Sequence, residues 1–162
     1  MWGDIEDKSN SDCSWESYKY CNGSYDTLTK YNTDSSYGTV DNKTTLEPED
    51  DAARANMGSD WRMPTNAEIQ ELIDKTTNEW INDYNGTGVN GMKFTASNGN
   101  SIFIPASGYR YDSSFTDQGS GGCLWSSSLA FAYNVYYWHL RSNDAEGSDS
   151  RCLGFAVRGV RK

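Results

Sequence analysis

"PTNAEIQELIDK" (64–75) and, after it, "MKFTASNGNSIFIPA" (92–106) decide the fold class. In the first stretch Thr65 and Glu68 stand three residues apart just ahead of an apolar run, the spacing of a reciprocal N-terminal cap. Ile69, Leu72 and Ile73 then recur at i, i+3 and i+4, which lays one apolar stripe along a helix. In the second stretch the period drops to two. Met92, Phe94 and Ala96 alternate with polar residues, Asn98-Gly99 supplies a turn dipeptide, and Ile102 and Ile104 resume the alternation. That pattern predicts a β-hairpin. Helices early and strands late make an α+β domain.

Working outward, "EPEDDAARANMG" (47–58) predicts a helix that starts near Pro48, carries acids in its first turn and stops at Gly58. Helix N-terminal electrostatics accounts for its acids more cheaply than a metal site. Residues 8–45 are rich in Ser, Thr, Asn, Asp and Tyr with little periodicity. They read as a long irregular segment pinned by Trp15, Tyr18, Tyr20 and Tyr25. On the other side, "GSGGCLWSSSL" (119–129) leads into a strand around 123–127. "YWHLRS" (137–142) alternates, with Trp138 and Leu140 on one face and His139 and Arg141 on the other. The tail "GFAVRGVRK" (154–162) reads as a last strand broken at Gly159.

The chain has 162 residues, enough for one domain with a real core. Mean hydropathy is −0.80, yet aromatics make up 14% of the residues, so Tyr and Trp carry much of the burial. A formal charge of −9 disfavours nucleic acid and acidic membrane surfaces, because phosphate binding needs a basic patch. No apolar run approaches the roughly 20 residues of a membrane span. "MWGDIEDKSN" (1–10) lacks the basic start and apolar segment of a signal peptide. A chain that opens directly on Trp2 is expected to be a piece of something longer.

Little in the sequence points to catalysis. His139 is the single histidine, and no recognisable motif sets a nucleophile beside it. "GSGGC" lacks the P-loop lysine and precedes a strand rather than a helix. Cys13, Cys21, Cys123 and Cys152 include no C-x-x-C pair. Cys13 and Cys21 could close a small loop in an oxidising compartment, and isolated thiols are the alternative. Three N-x-S/T sequons begin at Asn22, Asn42 and Asn85, and matter only in a eukaryotic secretory setting. No cofactor and no metal are expected.

The stretch "WSSSLAFAYNVYYWHLRS" (125–142) is different, crowding rings among small residues. Interface hot spots favour Tyr, Trp and Arg, and antibody loops mix such anchors with Ser and Gly. Trp138 and Leu140 are assigned to the core. Phe131, Tyr133, Tyr136, His139, Arg141 and Asn143 are assigned to a binding surface.

"YKYCNGS", "SSYGTVDNKTTLEPEDDAARAN", "SDWRMPTNAE", "NGNSIFIPASGYR", "LWSSSL" and "RCLGFAVRGV" occur in this order. On these segments, over almost the whole chain, the sequence resembles the Fibrobacter succinogenes major paralogous domain, common in gut Bacteroidetes and their phages. The resemblance implies a C-type-lectin-like fold with two helices, an antiparallel sheet and long irregular loops. "WRMPT" is similar to the "WRLPT" element of the related formylglycine-generating fold. Family members usually carry a strand before the tryptophan that matches Trp2. Here the chain begins at that point.

Members whose C-terminal segment departs from the family run are similar to variable proteins of diversity-generating retroelements. There a reverse transcriptase copies a template with errors at adenines, and Asn codons become most residue types but never Trp, Glu, Gln, Lys or Met. Between Ala130 and Phe155 only Trp138 and Glu146 fall outside the reachable set. The resemblance thus implies a scaffold over about 1–129, a variable ligand-binding segment over about 130–155 and a terminal strand over about 155–162. The variable set is Ala130, Phe131, Ala132, Tyr133, Asn134, Val135, Tyr136, His139, Arg141, Asn143, Ala145, Gly147, Asp149, Ser150, Cys152, Leu153 and Phe155, expected on one exposed face. The partner would be a protein or glycan on a cell surface, met by several displayed copies on a phage tail or bacterial envelope. Two alternatives remain: a surface adhesive or structural domain without diversification, and a thiol oxidase built on Cys123 and Cys152. A calcium-dependent sugar site lacks its Glu-Pro-Asn type of run, and Asp50-Asp51 and Asp144 to Asp149 do not supply one.

Overall fold

The structure is a computed structural model that describes residues 1–8, 12–141 and 147–161. Among them are two α-helices and ten short strands in four antiparallel sheets, the expected α+β mixture. Helix α1 spans Ala52–Met57 and α2 spans Asn66–Lys75. Strands β2 (Thr76–Ile81), β3 (Gly91–Ala96) and β4 (Ser101–Pro105) form one sheet in that order. Strands β7 (Cys123–Phe131), β8 (Asn134–His139) and β9 (Ser148–Ser150) form another. Two pairs complete the fold: β1 (Trp61–Arg62) with β10 (Val160–Arg161), and β5 (Tyr109–Tyr111) with β6 (Ser114–Thr116).

The reciprocal cap at α2 is present. The Thr65 hydroxyl accepts from Glu68 N–H, and the Glu68 carboxylate accepts from Thr65 N–H. Ile69 and Ile73 are buried against the β3–β4 hairpin, where Met92 faces Ile104 and Phe94 faces Ile102. Strand β2 leaves no period of two to read, because Thr77, Asn78 and Glu79 are exposed in succession.

Helix α1 starts four residues later than Pro48 suggests. Asp51 is its N-cap, accepting from Arg54 N–H and also from Met63 N–H at 2.8 Å, so the helix begins where that carboxylate is anchored. The acids before it serve another purpose. Lys30 Nζ lies 2.6 Å from both Glu47 and Asp50, and the Tyr31 hydroxyl donates to Asp50 at 2.6 Å.

Residues 12–45 do run as an irregular segment, tied by isolated bridges and side-chain hydrogen bonds. Its anchors are partly different from those expected. Tyr18, Leu28 and Tyr31 are buried, whereas Tyr25 is 48% exposed and pins nothing to the core.

The β7–β8 pair is buried on both faces. Leu124, Trp138 and Leu140 pack towards α2 and the hairpin, while Trp125, Leu129 and Val135 pack with Trp2, Tyr31, Met63, Leu153 and Phe155. Each fully buried large side chain contributes about 2–3 kcal/mol, so this double-sided sheet holds most of the apolar stabilisation.

Two carboxylates link this architecture to pH. The Arg62 guanidinium, with further hydrogen bonds from Thr65, holds Glu68 down at about 2. Burial alone would raise Asp50, but hydrogen bonds from Lys30, Tyr20 and Tyr31 outweigh it and hold it at about 2. A carboxylate depressed in the folded state adds stability above its unfolded value, and loses it as pH falls through the folded value. The melting temperature is therefore expected to hold above about pH 4.5 and to fall steeply between about pH 4 and pH 2. Thermal melts across that range check it, and Asp50→Asn should be less stable at neutral pH and flatten the slope.

Candidate aromatic binding surface

The run Trp125–Ser128 is where β7 departs from regular pairing with β8, the register shifting between Trp125 and Leu129. Ser126, fully buried, stabilises the irregularity from inside. Its hydroxyl donates to the Tyr136 carbonyl at 2.8 Å and accepts from Ser128 N–H at 3.1 Å. Beyond it the chain reverses in two residues, Ala132 and Tyr133, since Phe131 pairs with Asn134. Two-residue hairpin turns need a positive φ that Gly or Asn adopts easily. Here Ala132 takes it, at φ 25°.

Arg151 holds that turn. Its guanidinium is fully buried and donates to the carbonyls of Ala132 (3.0 Å), Tyr31 (2.8 Å) and Lys30 (2.5 Å) and to the Tyr18 hydroxyl (2.9 Å). Arg151 N–H also donates to the Tyr133 carbonyl at 3.1 Å. The turn is thereby fastened to the 25–38 segment. That segment is closed by Gly38, whose φ of 122° and close approach to the Leu28 backbone leave no room for a Cβ.

The result is a chain of touching rings from distant parts of the sequence. Tyr133 lies 5.5 Å from Tyr25, 5.2 Å from Tyr37 and 5.9 Å from Phe131, centroid to centroid. Tyr25 reaches Tyr37 at 6.2 Å and Trp15 at 6.5 Å. Phe131 is 52% exposed and Tyr25 48%, so the cluster faces solvent rather than the core.

The expected variable residues do not share one exposed face. Ala132, Val135, Cys152, Leu153 and Phe155 are buried, because the segment also supplies the core side of β8 and the lining around Trp125. His139 and Arg141 lie at the far end of β8 from the turn, about 17 Å away at about 3.4 Å per residue. There Arg141 stacks on Trp80 at 3.9 Å and donates from Nε to the Ser120 carbonyl, and His139 Nδ1 accepts from Arg141 N–H. Ala130, Asn134 and Tyr136 are half-buried on the β7–β8 strands, as are Asp149 and Ser150 on the neighbouring β9, which Gly147 precedes in an exposed position. Asn143, Ala145 and Glu146 lie outside the described residues. The sequence does not mark Tyr25, Tyr37 and Trp15 as surface residues. Only their clustering in space reveals them, since nothing in residues 12–45 is periodic.

The other candidate chemistries have a definite place too. All four cysteines are free thiols. Burial, aided by nearby Asp149, pushes Cys123 and Cys152 up to about 12, and the two sit in separate apolar clusters. Glu47, Glu49 and Asp50 bring oxygens within 4.8 Å of one another, and the Lys30 ammonium takes the central position a cation would need. Among the described residues no helix is long and apolar enough to cross a membrane. Compared with protein-family models, with curated proteins and with solved structures, the chain has no match in any of the three.

Replacing Arg151 by Met would leave three carbonyls and the Tyr18 hydroxyl without their donor. At about 1–3 kcal/mol for each unsatisfied buried group, the loss should exceed about 3 kcal/mol in urea denaturation. Arg151→Lys should recover only part of it, because one ammonium cannot span donors fixed in a planar fork.

Proposed function

We propose that this chain is a ligand-binding domain whose contact surface is the exposed cluster of Phe131, Tyr133, Tyr25 and Tyr37. The carrying observation is that two large rings stay about half exposed while packed edge-on against half-buried neighbours. Rings held by ring contacts lose little freedom on binding, and rigid amphipathic side chains of this kind dominate interface energetics. The proposed fold is C-type-lectin-like. It is supported by two helices, several antiparallel sheets, long irregular loops and a terminal strand that pairs back onto β1.

In this reading a retroelement rewrites part of 130–155, and the burial pattern narrows which part. Ala130, Phe131, Tyr133, Asn134, Tyr136, His139, Arg141, Asp149 and Ser150 can change without opening the core. Ala132, Val135, Cys152, Leu153 and Phe155 cannot. Display would be on a phage tail or bacterial envelope, towards a protein or glycan of a cell surface. The second reading, an adhesive domain with a fixed surface, is favoured by those five buried positions. The buried, protonated thiols give a thiol oxidase no support.

Deep sequencing of the encoding gene across a host population separates the two readings. Diversification predicts changes at the accessible positions only, traceable to adenines in a nearby near-copy. A uniform segment with no template repeat leaves the fixed adhesive domain. Once a partner is captured, Tyr133→Ala and Tyr25→Ala should each weaken binding by about 2 kcal/mol. Their melting temperatures should stay near that of the parent chain, and a large drop in both would assign the rings to the core instead.

A further inference from the structure

A second site lies away from the aromatic surface, between α2, the β3–β4 hairpin and β10. There the structure forms a partly open cavity of about 290 Å³. Ile69, Leu72, Ile102 and Ile104 form its sides, and Trp138 and Leu124 belong to its inner wall. Its volume falls at the lower end of cavities that hold small molecules, about 300 Å³. The lining is apolar apart from Glu68, Arg158 and Arg161, and both arginines are exposed. Glu68 also borders the cavity, but its carboxylate is already taken by Arg62 and Thr65.

Among the described residues Arg161 pairs with Asp60, at 3.7 Å with both side chains more than two-thirds exposed, a contact that contributes little. Among the described residues Arg158 has no carboxylate within ion-pair distance. An apolar hollow with two exposed, weakly engaged arginines among its lining residues matches a ligand with an apolar body and an anionic head. Guanidinium binds carboxylate through two parallel hydrogen bonds, and the desolvated walls suit a short hydrocarbon. We propose that this cavity binds a small amphipathic carboxylate, with its chain between α2 and the hairpin and its head on Arg158 and Arg161. Nothing in the aromatic surface is needed for it, so the two sites stand or fall separately.

Trp61, Trp125 and Trp138 border the cavity, so intrinsic fluorescence reports its occupancy. Octanoate, octanol and acetate are titrated into the intact chain. Octanoate should give a saturating change, octanol the same change at about tenfold higher concentration, and acetate none. The Arg158→Ala/Arg161→Ala chain, altered only at exposed positions, should keep its melting temperature and bind octanoate about tenfold more weakly, with octanol unaffected. Equal affinity for octanoate and octanol, or an octanoate affinity unchanged in the double variant, would overturn the carboxylate assignment. No fluorescence change with octanoate up to about 10 mM would overturn the site altogether.

Discussion

The buried guanidinium of Arg151 is the constraint on which the rest of this structure hangs. A charge without solvent costs several kcal/mol unless its donors are satisfied, and no carboxylate pairs with it among the described residues. The chain satisfies it with three backbone carbonyls and a tyrosine hydroxyl drawn from three separate places: 18, 30–31 and 132. The rings of Trp2 and Tyr18 lie over it at 5.5 and 5.2 Å. Trp2 in turn donates from its indole to the Ser126 carbonyl and from its backbone to Arg151. Through that knot an irregular segment with almost no secondary structure is bound to the central sheet.

The consequence reaches the surface. A two-residue turn built on Ala132 and Tyr133 has no intrinsic reason to form, since neither residue favours a positive φ. It forms because Arg151 takes the Ala132 carbonyl and because Ser126 absorbs the irregularity in β7. The same guanidinium holds the carbonyls of Lys30 and Tyr31, at the base of the segment that presents Tyr25 and Tyr37. The scaffold and the exposed ring cluster are therefore not two regions in series. Tyr133 is presented by one and flanked by the other, and the segment from 130 to 155 alternates between exposed rings and core residues within a few positions.

That alternation limits how freely such a surface can change. Val135 and Leu153 fill the same cluster as Trp125, so polar substitution there would bury an unpaired group. Phe131 is 52% exposed with its ring edge-on to Tyr133, and its replacement costs the fold little. Exposed rings on a hairpin tip above a double-sided sheet leave stability to other side chains, which is what tolerance to substitution requires.

By itself the sequence determined those features whose cause is local. The Thr65–Glu68 cap, the Ile69–Ile73 stripe, the Asn98-Gly99 hairpin and the inward face of Trp138 and Leu140 follow from hydrogen bonds and periods spanning a few residues. The crowded rings at 131–138 were also visible as an anomaly of composition. Only the tertiary structure decided which of those rings face solvent, where α1 begins, and that Tyr25 and Tyr37 join Tyr133 more than ninety residues away. Aperiodic segments carry no local signal for direction, because their side chains point wherever distant hydrogen bonds hold the backbone. Here the distant partner is Arg151, a residue whose role cannot be read until the four carbonyls and hydroxyls around it have been brought together.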